Sequence, residues 1–301
     1  MSQAAAQQET WSASPGAEAW RRLRRNPVAV ACSLYMLGLL LVALFAHFLA
    51  PYAYDAMDTK YASLPAPPDA RHWLGTDNLG QDVLSRLLYG AQVSLTVAIV
   101  VILLEGLIGV TLGLVAGYYG GWIDLLLMRL TDVMFAFPDI LLAILLRAVI
   151  MSSARAVSLS INLGTLIVAL GVVGWPGIAR LVRGQALALR SKEFIEAARA
   201  NGVRDRHILL RRLLPNLLGP IIVQATQDVA GVILAEATLS FLGIGVPPPF
   251  PSWGRMINDA LPAMRVHPLL LLAPSLVLAL TVMAFNFFGD ALRDALDPRL
   301  R

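Results

Sequence analysis

Five acidic side chains lie inside apolar stretches of this 301-residue chain: Glu105, Asp132, Asp139, Asp228 and Glu236. A charge at the centre of a bilayer costs about 2.5–3.5 kcal/mol or more, so such groups face protein or a watery cavity. Two kinds of chemistry are open to them. They can line a polar path that attracts an ammonium or another cation, or they can pair and hold protons within a helix bundle. Asp132 stands one helical turn from Arg129 and can pair with it. Glu105, Asp139, Asp228 and Glu236 are left as candidate path-lining residues. Bond-making chemistry finds no support: there is no nucleophile elbow and no HExxH zinc motif. No Gly-rich phosphate loop with Lys-Ser/Thr is present, so this chain has no ATP site of that kind. The four histidines are scattered, and Cys32 is the sole cysteine, which excludes an intramolecular disulfide and a cysteine-based zinc site. No metal or cofactor is expected on this chain.

The elements that must position these acids are long apolar runs. The chain is 57% hydrophobic and 15% charged, where soluble domains carry roughly 25% charged residues. The composition predicts an all-α polytopic membrane protein with six transmembrane helices. Residues 1–27 form a cytoplasmic tail, flexible over 1–20. Residues 28–50 are the first span, roughly 35 Å long as a helix. A cleaved signal peptide has an apolar core of only about 7–15 residues, which favours an uncleaved span. Residues 51–91 are an extracytoplasmic excursion ending in an amphipathic surface helix with Leu79, Val83, Leu87 and Leu88 on one side. Residues 92–290 are the core, with spans near 93–117, 123–150, 160–180, 216–237 and 269–288, and 291–301 are a cytoplasmic tail.

Several local features have expected roles. Gly106, Gly109, Gly113 and Gly117 make a small-residue face for close helix packing. Tyr118, Tyr119 and Trp122 form an interfacial aromatic cluster. Pro138 falls in the middle of the third span, and Trp175-Pro176-Gly177 bends the end of the fourth. Arg147 snorkels to the outer interface. Pro247–Pro251 and Trp253-Gly254 shape a rigid outer loop or help seat a partner. Gly289-Asp290 with Arg293 caps the sixth span or docks near a partner.

One polar, basic stretch interrupts the apolar pattern at Ser191–Pro215. Phe194, Ala197, Ala198 and Asn201 recur at helical spacing. Ser191 is placed to cap that helix, and Gly202 to end it in a left-handed turn. A second helical run, rich in Arg and Leu, stops before Pro215. Periodicity alone leaves two readings: an ordinary basic loop, or a docking device. With six spans both termini share a side. That side collects Arg21 to Arg25, Arg129, the basic run from Arg180 to Arg212, and Arg293, Arg299 and Arg301. The other holds only Lys60, Arg71, Arg86, Arg147, Arg155, Arg255 and Arg265. The excess places the termini and the polar stretch in the cytoplasm. It also accounts for the formal charge of +4 by topology, with lipid and not nucleic acid as the surrounding partner.

The pattern Glu196-Ala197-Ala198, Gly202, Leu214-Pro215 resembles the EAA loop of ABC-importer permeases. The stretches GTDNLGQDVLSRLLYGAQVSL (75–95), WPGIARLVRGQALALRSKEFIEAARANG (175–202), EATLSFLGIGVPPPFPSWGRMI (236–257) and FNFFGDALRDALDPRL (285–300) are similar to the dipeptide/oligopeptide/nickel permease family, C-type subunit. The likeness covers residues 20–300. Gln81 and Gln92 stand where that family usually has Arg, and Arg212 where it commonly has His.

The resemblance implies a type I importer permease that pairs with a second, homologous permease as a heterodimer. Two cytoplasmic ATPase subunits would carry ATP and Mg, and an extracytoplasmic solute-binding protein would deliver the solute, all at a bacterial cytoplasmic membrane. Residues 191–202 would be the coupling helix. Ser191, Phe194, Ile195, Glu196, Ala197, Ala198, Asn201 and Gly202 would contact an ATPase, and Pro215 would lead into the fifth span. The implied function is non-catalytic import of di- or oligopeptides. Nickel, glutathione, haem or oligosaccharide are the alternatives within the class. A stand-alone secondary transporter or channel is the alternative outside it, and an intramembrane enzyme lacks the residues it would need.

Overall fold

The computed structural model describes residues 15–61, 64–153 and 159–297. The tail up to residue 14, Arg155, Arg299 and Arg301 lie outside the described residues. Among the described residues five helices are long and apolar enough to cross a membrane, and a sharply bent pair makes a sixth crossing if it counts as one span. Leu34, Leu37, Leu103, Leu107 and Leu276 are exposed around the bundle. Such a surface is covered by lipid or by another protein, not by water.

Helix α1 (Pro15–Arg25) corrects the reading of 1–20 as flexible throughout. Helix α2 (Pro27–Leu44) starts where Asn26 Oδ1 accepts from the N–H groups of Val28 at 3.0 Å and Ala29 at 3.3 Å, with Pro27 in the first turn. It stops short of Ala50: Phe45 breaks the run, and one further turn covers Ala46–Leu49. Helix α3 (Val83–Tyr119) is 37 residues long, about 55 Å, so both ends project beyond the hydrocarbon core. The separate amphipathic helix expected before the second span is instead the first turns of α3. The reason is its cap: Asp82 Oδ2 accepts from Ser85 N–H at 2.8 Å and from Ser85 Oγ at 2.7 Å, starting the helix at once.

The segment before α3 is a buried polar knot. His72, Thr76, Gln81, Asp82 and Arg86 are all buried. His72 Nδ1 lies 2.9 Å from Asp82 Oδ1, and Arg86 donates to Gln81 and to Tyr54 O. Asp69 accepts from His72 N–H at 2.6 Å and Arg71 N–H at 2.8 Å. Those backbone bonds hold its carboxyl below the usual range. Burial pushes Asp77 the other way, partly offset by the Gln81 N–H and Arg86.

Helix α4 (Gly121–Phe135) and helix α5 (Asp139–Ser153) replace the single third span. They meet at 91°. Pro138 explains the break, since it has no N–H to continue α4 and its carbonyl instead accepts from Leu142 N–H at 3.0 Å, opening α5. Helix α6 (Leu159–Arg190) runs unbroken through Pro176 and ten residues beyond the expected end at Arg180. Helix α7 (Glu193–Ala200) follows. Helix α8 (Asp205–Phe241) includes a π-helical turn at Leu209–Leu213. Thus the Arg-rich run does not stop before Pro215. It passes through the wide turn, and Pro215 sits in the first turn of the α-helical part, where its missing N–H costs little.

Helix α9 (Trp253–Ala260) is capped by Ser252, and helix α10 (Leu269–Leu296) ends the described chain. Gly289 does not cap α10. It lies inside the helix against Gln227 of α8, where a Cβ would come within 2.6 Å of Cγ. The helix therefore continues well into the segment read as a tail. Trp253 is fully buried and donates from Nε1 to Leu87 O at 3.1 Å, so it ties α9 to α3.

The centre of the fold is the α3–α6 pair. A Cβ on Gly109, Gly113 or Gly117 would stand 2.8, 2.6 or 2.6 Å from α6 atoms. Glycine lets the two backbones touch, the main source of helix association in lipid. Gly106 is the exception in the expected row, with open space around it.

Candidate functional site

Two places bring the singled-out residues together. The first is a cavity of about 280 Å³ inside the bundle, lined by Glu105, Asp139, Gly174, Gln227, Asp228 and Gly231, with Leu170, Val173, Val232 and Leu239 as apolar wall. Each acid arrives on a different element. The break at Pro138 puts Asp139 in the first turn of α5. Helix α8 supplies Asp228, whose Oδ1 accepts from Gln224 Nε2 at 2.8 Å. Helix α3 supplies Glu105, which is only 4% exposed. Its carboxylate lies over Gly174, where a Cβ would meet Oε1 at 1.8 Å. Among the described residues no donor reaches Glu105.

Gln227 also lines a second, wider cavity of about 680 Å³, together with Gln185, Asn216, Gln224 and Arg293. Gln227 thus borders both spaces, and its Nε2 donates to Asp290 at 2.9 Å.

Glu236 does not line the carboxylate cavity. It is fully buried and accepts from Ser94 Oγ at 2.9 Å and Ser240 Oγ at 2.7 Å. Ser240 Oγ in turn accepts from Val246 N–H at 3.1 Å. Arg147 acts on Glu236 at longer range. It does not snorkel: it is 5% exposed and donates to Gly245 O, while its Nη1 has no hydrogen-bond partner among the described residues. Asp132 does not pair with Arg129 either. Its partner is Arg180 of α6 at 2.7 Å, an exposed bridge, and Arg183 binds Asp124 of α4 through both oxygens.

The second place is α7 and its flanks. Ile195 and Ala198 are buried against Leu114, Ile178, Val182 and Ala186. Ser191, Phe194, Glu196, Ala197, Asn201 and Gly202 are exposed. The four residues with shared spacing therefore divide: Ala198 turns inward, while Phe194, Ala197 and Asn201 face out. Lys192, not Ser191, is the N-cap, and no side chain caps the helix. The C-terminal end is a Schellman turn. Gly202 has φ +71°, its N–H reaches Arg199 O at 2.9 Å, and Val203 N–H reaches Ala198 O at 3.1 Å.

Sequence reasoning missed the tie that holds this loop to the bundle. Tyr118, read as an interfacial residue, is 4% exposed. Its hydroxyl donates to Asp205 Oδ1 at 2.6 Å, and the Arg199 guanidinium stacks over its ring at 4.6 Å. No local signal marks a pairing across 87 positions.

This is a polytopic helix bundle with a polar cavity and a helical loop tied to the bundle. Residues 109–301 match the family described as the binding-protein-dependent transport system inner membrane component. The chain belongs to that family. It is a non-catalytic, multi-pass inner-membrane permease subunit of an ABC importer. Residues 14–68 match the N-terminal transmembrane domain of oligopeptide transport permease C, which places it in the C-type branch of the dipeptide/oligopeptide group. A glutathione transport system permease protein from Pectobacterium atrosepticum is 45% identical over 96% of this chain and 92% of its own length. A dipeptide transport system permease protein from Bacillus subtilis is 45% identical over 94% of this chain and 86% of its own. The fold is shared with the MetNI methionine ABC transporter in an inward-facing form, at a TM-score of 0.58 and 22% identity over 71% of this chain and 97% of that one.

Proposed function

We propose that this chain forms one half of the solute path of an ATP-driven importer of di- and oligopeptides. A second, homologous permease completes the path as a heterodimer. Two cytoplasmic ATPase subunits bind ATP and Mg, and an extracytoplasmic binding protein delivers the solute. Both termini and α7 lie in the cytoplasm, in line with the basic excess there. Glu105, Asp139 and Asp228 line the path, and Gln227 borders both their cavity and the wider space.

The observation that carries this reading is the two-sidedness of α7. One face, Ile195 and Ala198, is locked to α3 and α6. The rest of its surface is exposed, with Phe194, 42% exposed, at the edge of the buried stripe and Glu196 and Ala197 farther round. A rigid helix seated in an ATPase cleft can turn closure of the ATPases into movement of α6 and α8. Glu196→Lys and Gly202→Ala in the assembled importer test it. Both are expected to lower solute-stimulated ATP hydrolysis severalfold while the subunits still copurify. Unchanged stimulation in both variants would overturn the role of α7.

Glutathione is a second reading, because a relative at 45% identity is a glutathione permease. Competition between labelled glutathione and a dipeptide for uptake by the same importer separates the two.

A further inference from the structure

We propose that the Glu105 cavity is a recognition subsite for a primary ammonium group of the solute. The inference rests on the reading of that cavity as part of the solute path. Its first support is an imbalance of charge. Glu105, Asp139 and Asp228 line one space of about 280 Å³, and among the described residues no basic side chain lines it. The hydrogen bonds of the nearby amides leave Glu105 unmet: Gln224 donates to Asp228, and Gln227 donates to Asp290. The second support is Glu105 itself. It is 4% exposed, lines the cavity, and has no donor within reach among the described residues. Its oxygens are open to the cavity, and a largely desolvated carboxylate with no donor from the described residues is costly. Glu236 in the same bundle shows the alternative, with two serine hydroxyls supplied to it. Gly174 reinforces the point, since any side chain there would collide with the Glu105 carboxylate. The fold makes room for this acid and leaves its partner to come from outside.

The chemistry of the missing partner is narrowed by shape. Among the described residues no group of three or more His, Cys, Asp or Glu side chains is placed to hold a metal ion. The three acids line one space of about 280 Å³, larger than a single ion needs, and an ammonium brings three N–H donors to it. No aromatic side chain lines the cavity, whereas a quaternary ammonium calls for an aromatic cage. The volume lies at the lower edge of ligand sites, about 300–1,000 Å³, so it takes one end of a solute. A free peptide amino terminus and a lysine side chain both supply the required group.

The test uses the whole importer in lipid nanodiscs, without the binding protein. Equilibrium binding is measured for dialanine, N-acetyl-dialanine and Nα-acetyl-lysine. Dialanine is expected to bind, and Glu105→Gln to weaken it about tenfold or more, since a charge-assisted hydrogen bond is lost. Glu105→Asp should recover part of the affinity. N-acetyl-dialanine should bind weakly and equally to wild type and Glu105→Gln. Nα-acetyl-lysine binding as tightly as dialanine assigns the subsite to any primary ammonium; weaker binding assigns it to the amino terminus. Absence of dialanine binding, equal binding by Glu105→Gln, or tight binding of N-acetyl-dialanine overturns the proposal. Gly231→Trp, or the smaller Gly231→Leu, separates this failure from failure of the path. Gly231 lines the cavity with open space around it, so a large side chain plugs it. Blocked uptake by a copurifying Gly231 variant keeps the path even if the ammonium subsite falls. Unblocked uptake in both variants removes the path, and the subsite with it.

Discussion

Glu236 and Glu105 are both buried glutamates of the helix bundle, and their surroundings differ in kind. Glu236 has its oxygens met by Ser94 and Ser240, with a guanidinium further off. Glu105 lies on a cavity beside two more acids and over a glycine, and no donor among the described residues reaches it. Burial alone therefore does not mark a functional acid. What separates the two is whether the protein has completed the hydrogen bonds that a buried carboxylate demands. A completed group stiffens the bundle. An incomplete one stays open to solute.

The comparison is broken most directly by removing the completed acid. Glu236→Leu strands two buried hydroxyls and the Arg147 charge. Each unmet buried polar group costs about 1–3 kcal/mol, so the variant is expected to lose several degrees of thermal stability in detergent and much of its assembled complex. Unchanged melting would show that the serine bonds contribute nothing. Next in size comes the glycine seam beside the Glu105 cavity. Gly113→Val places a Cβ 2.6 Å from Ala179 O, and overpacking of that kind costs about 1–3 kcal/mol. Gly106→Ala meets open space and should leave melting unchanged. Equal effects from the two would mean that the α3–α6 approach is looser than it stands here.

The smallest expected effect is outside the membrane, where polar groups are again completed. Asp69 has its carboxyl lowered by the N–H groups of His72 and Arg71. Its contribution is present above the ordinary carboxylate value of about 3.9 and is lost as pH falls through the lower folded value. Hydrogen exchange at His72 should quicken as pH is lowered through that window, after correction for the intrinsic rate. Asp69→Asn should remove the dependence; a dependence that persists would assign it to another group.

The spans, the glycine row and the polar loop were legible because each depends on local spacing. Gly109, Gly113 and Gly117 recur at every helical turn, and Gly202 follows a helix whose end it closes. The break at Pro138 was visible as a proline but not as a 91° turn, because the angle depends on what α4 and α5 pack against. Pairings over long distances left no local trace. Ser94 meets Glu236 across 142 positions, and Arg180 meets Asp132 across 48. For the same reason Arg147 was assigned to the interface: its partner Gly245 lies 98 positions away. Of the four acids left as path-lining candidates, three line one cavity and the fourth lies among serines. Depth could not sort them, since it says nothing about donors on other helices.

The most direct test pairs the two glutamates in one experiment. Glu105→Gln and Glu236→Leu importers are purified with their partner subunits, and complex yield and ATP-driven solute uptake are measured for each. Glu105→Gln is expected to assemble as wild type and lose most of its uptake. Glu236→Leu is expected to fail first in assembly. Normal uptake by Glu105→Gln, with the complex intact, would contradict the account.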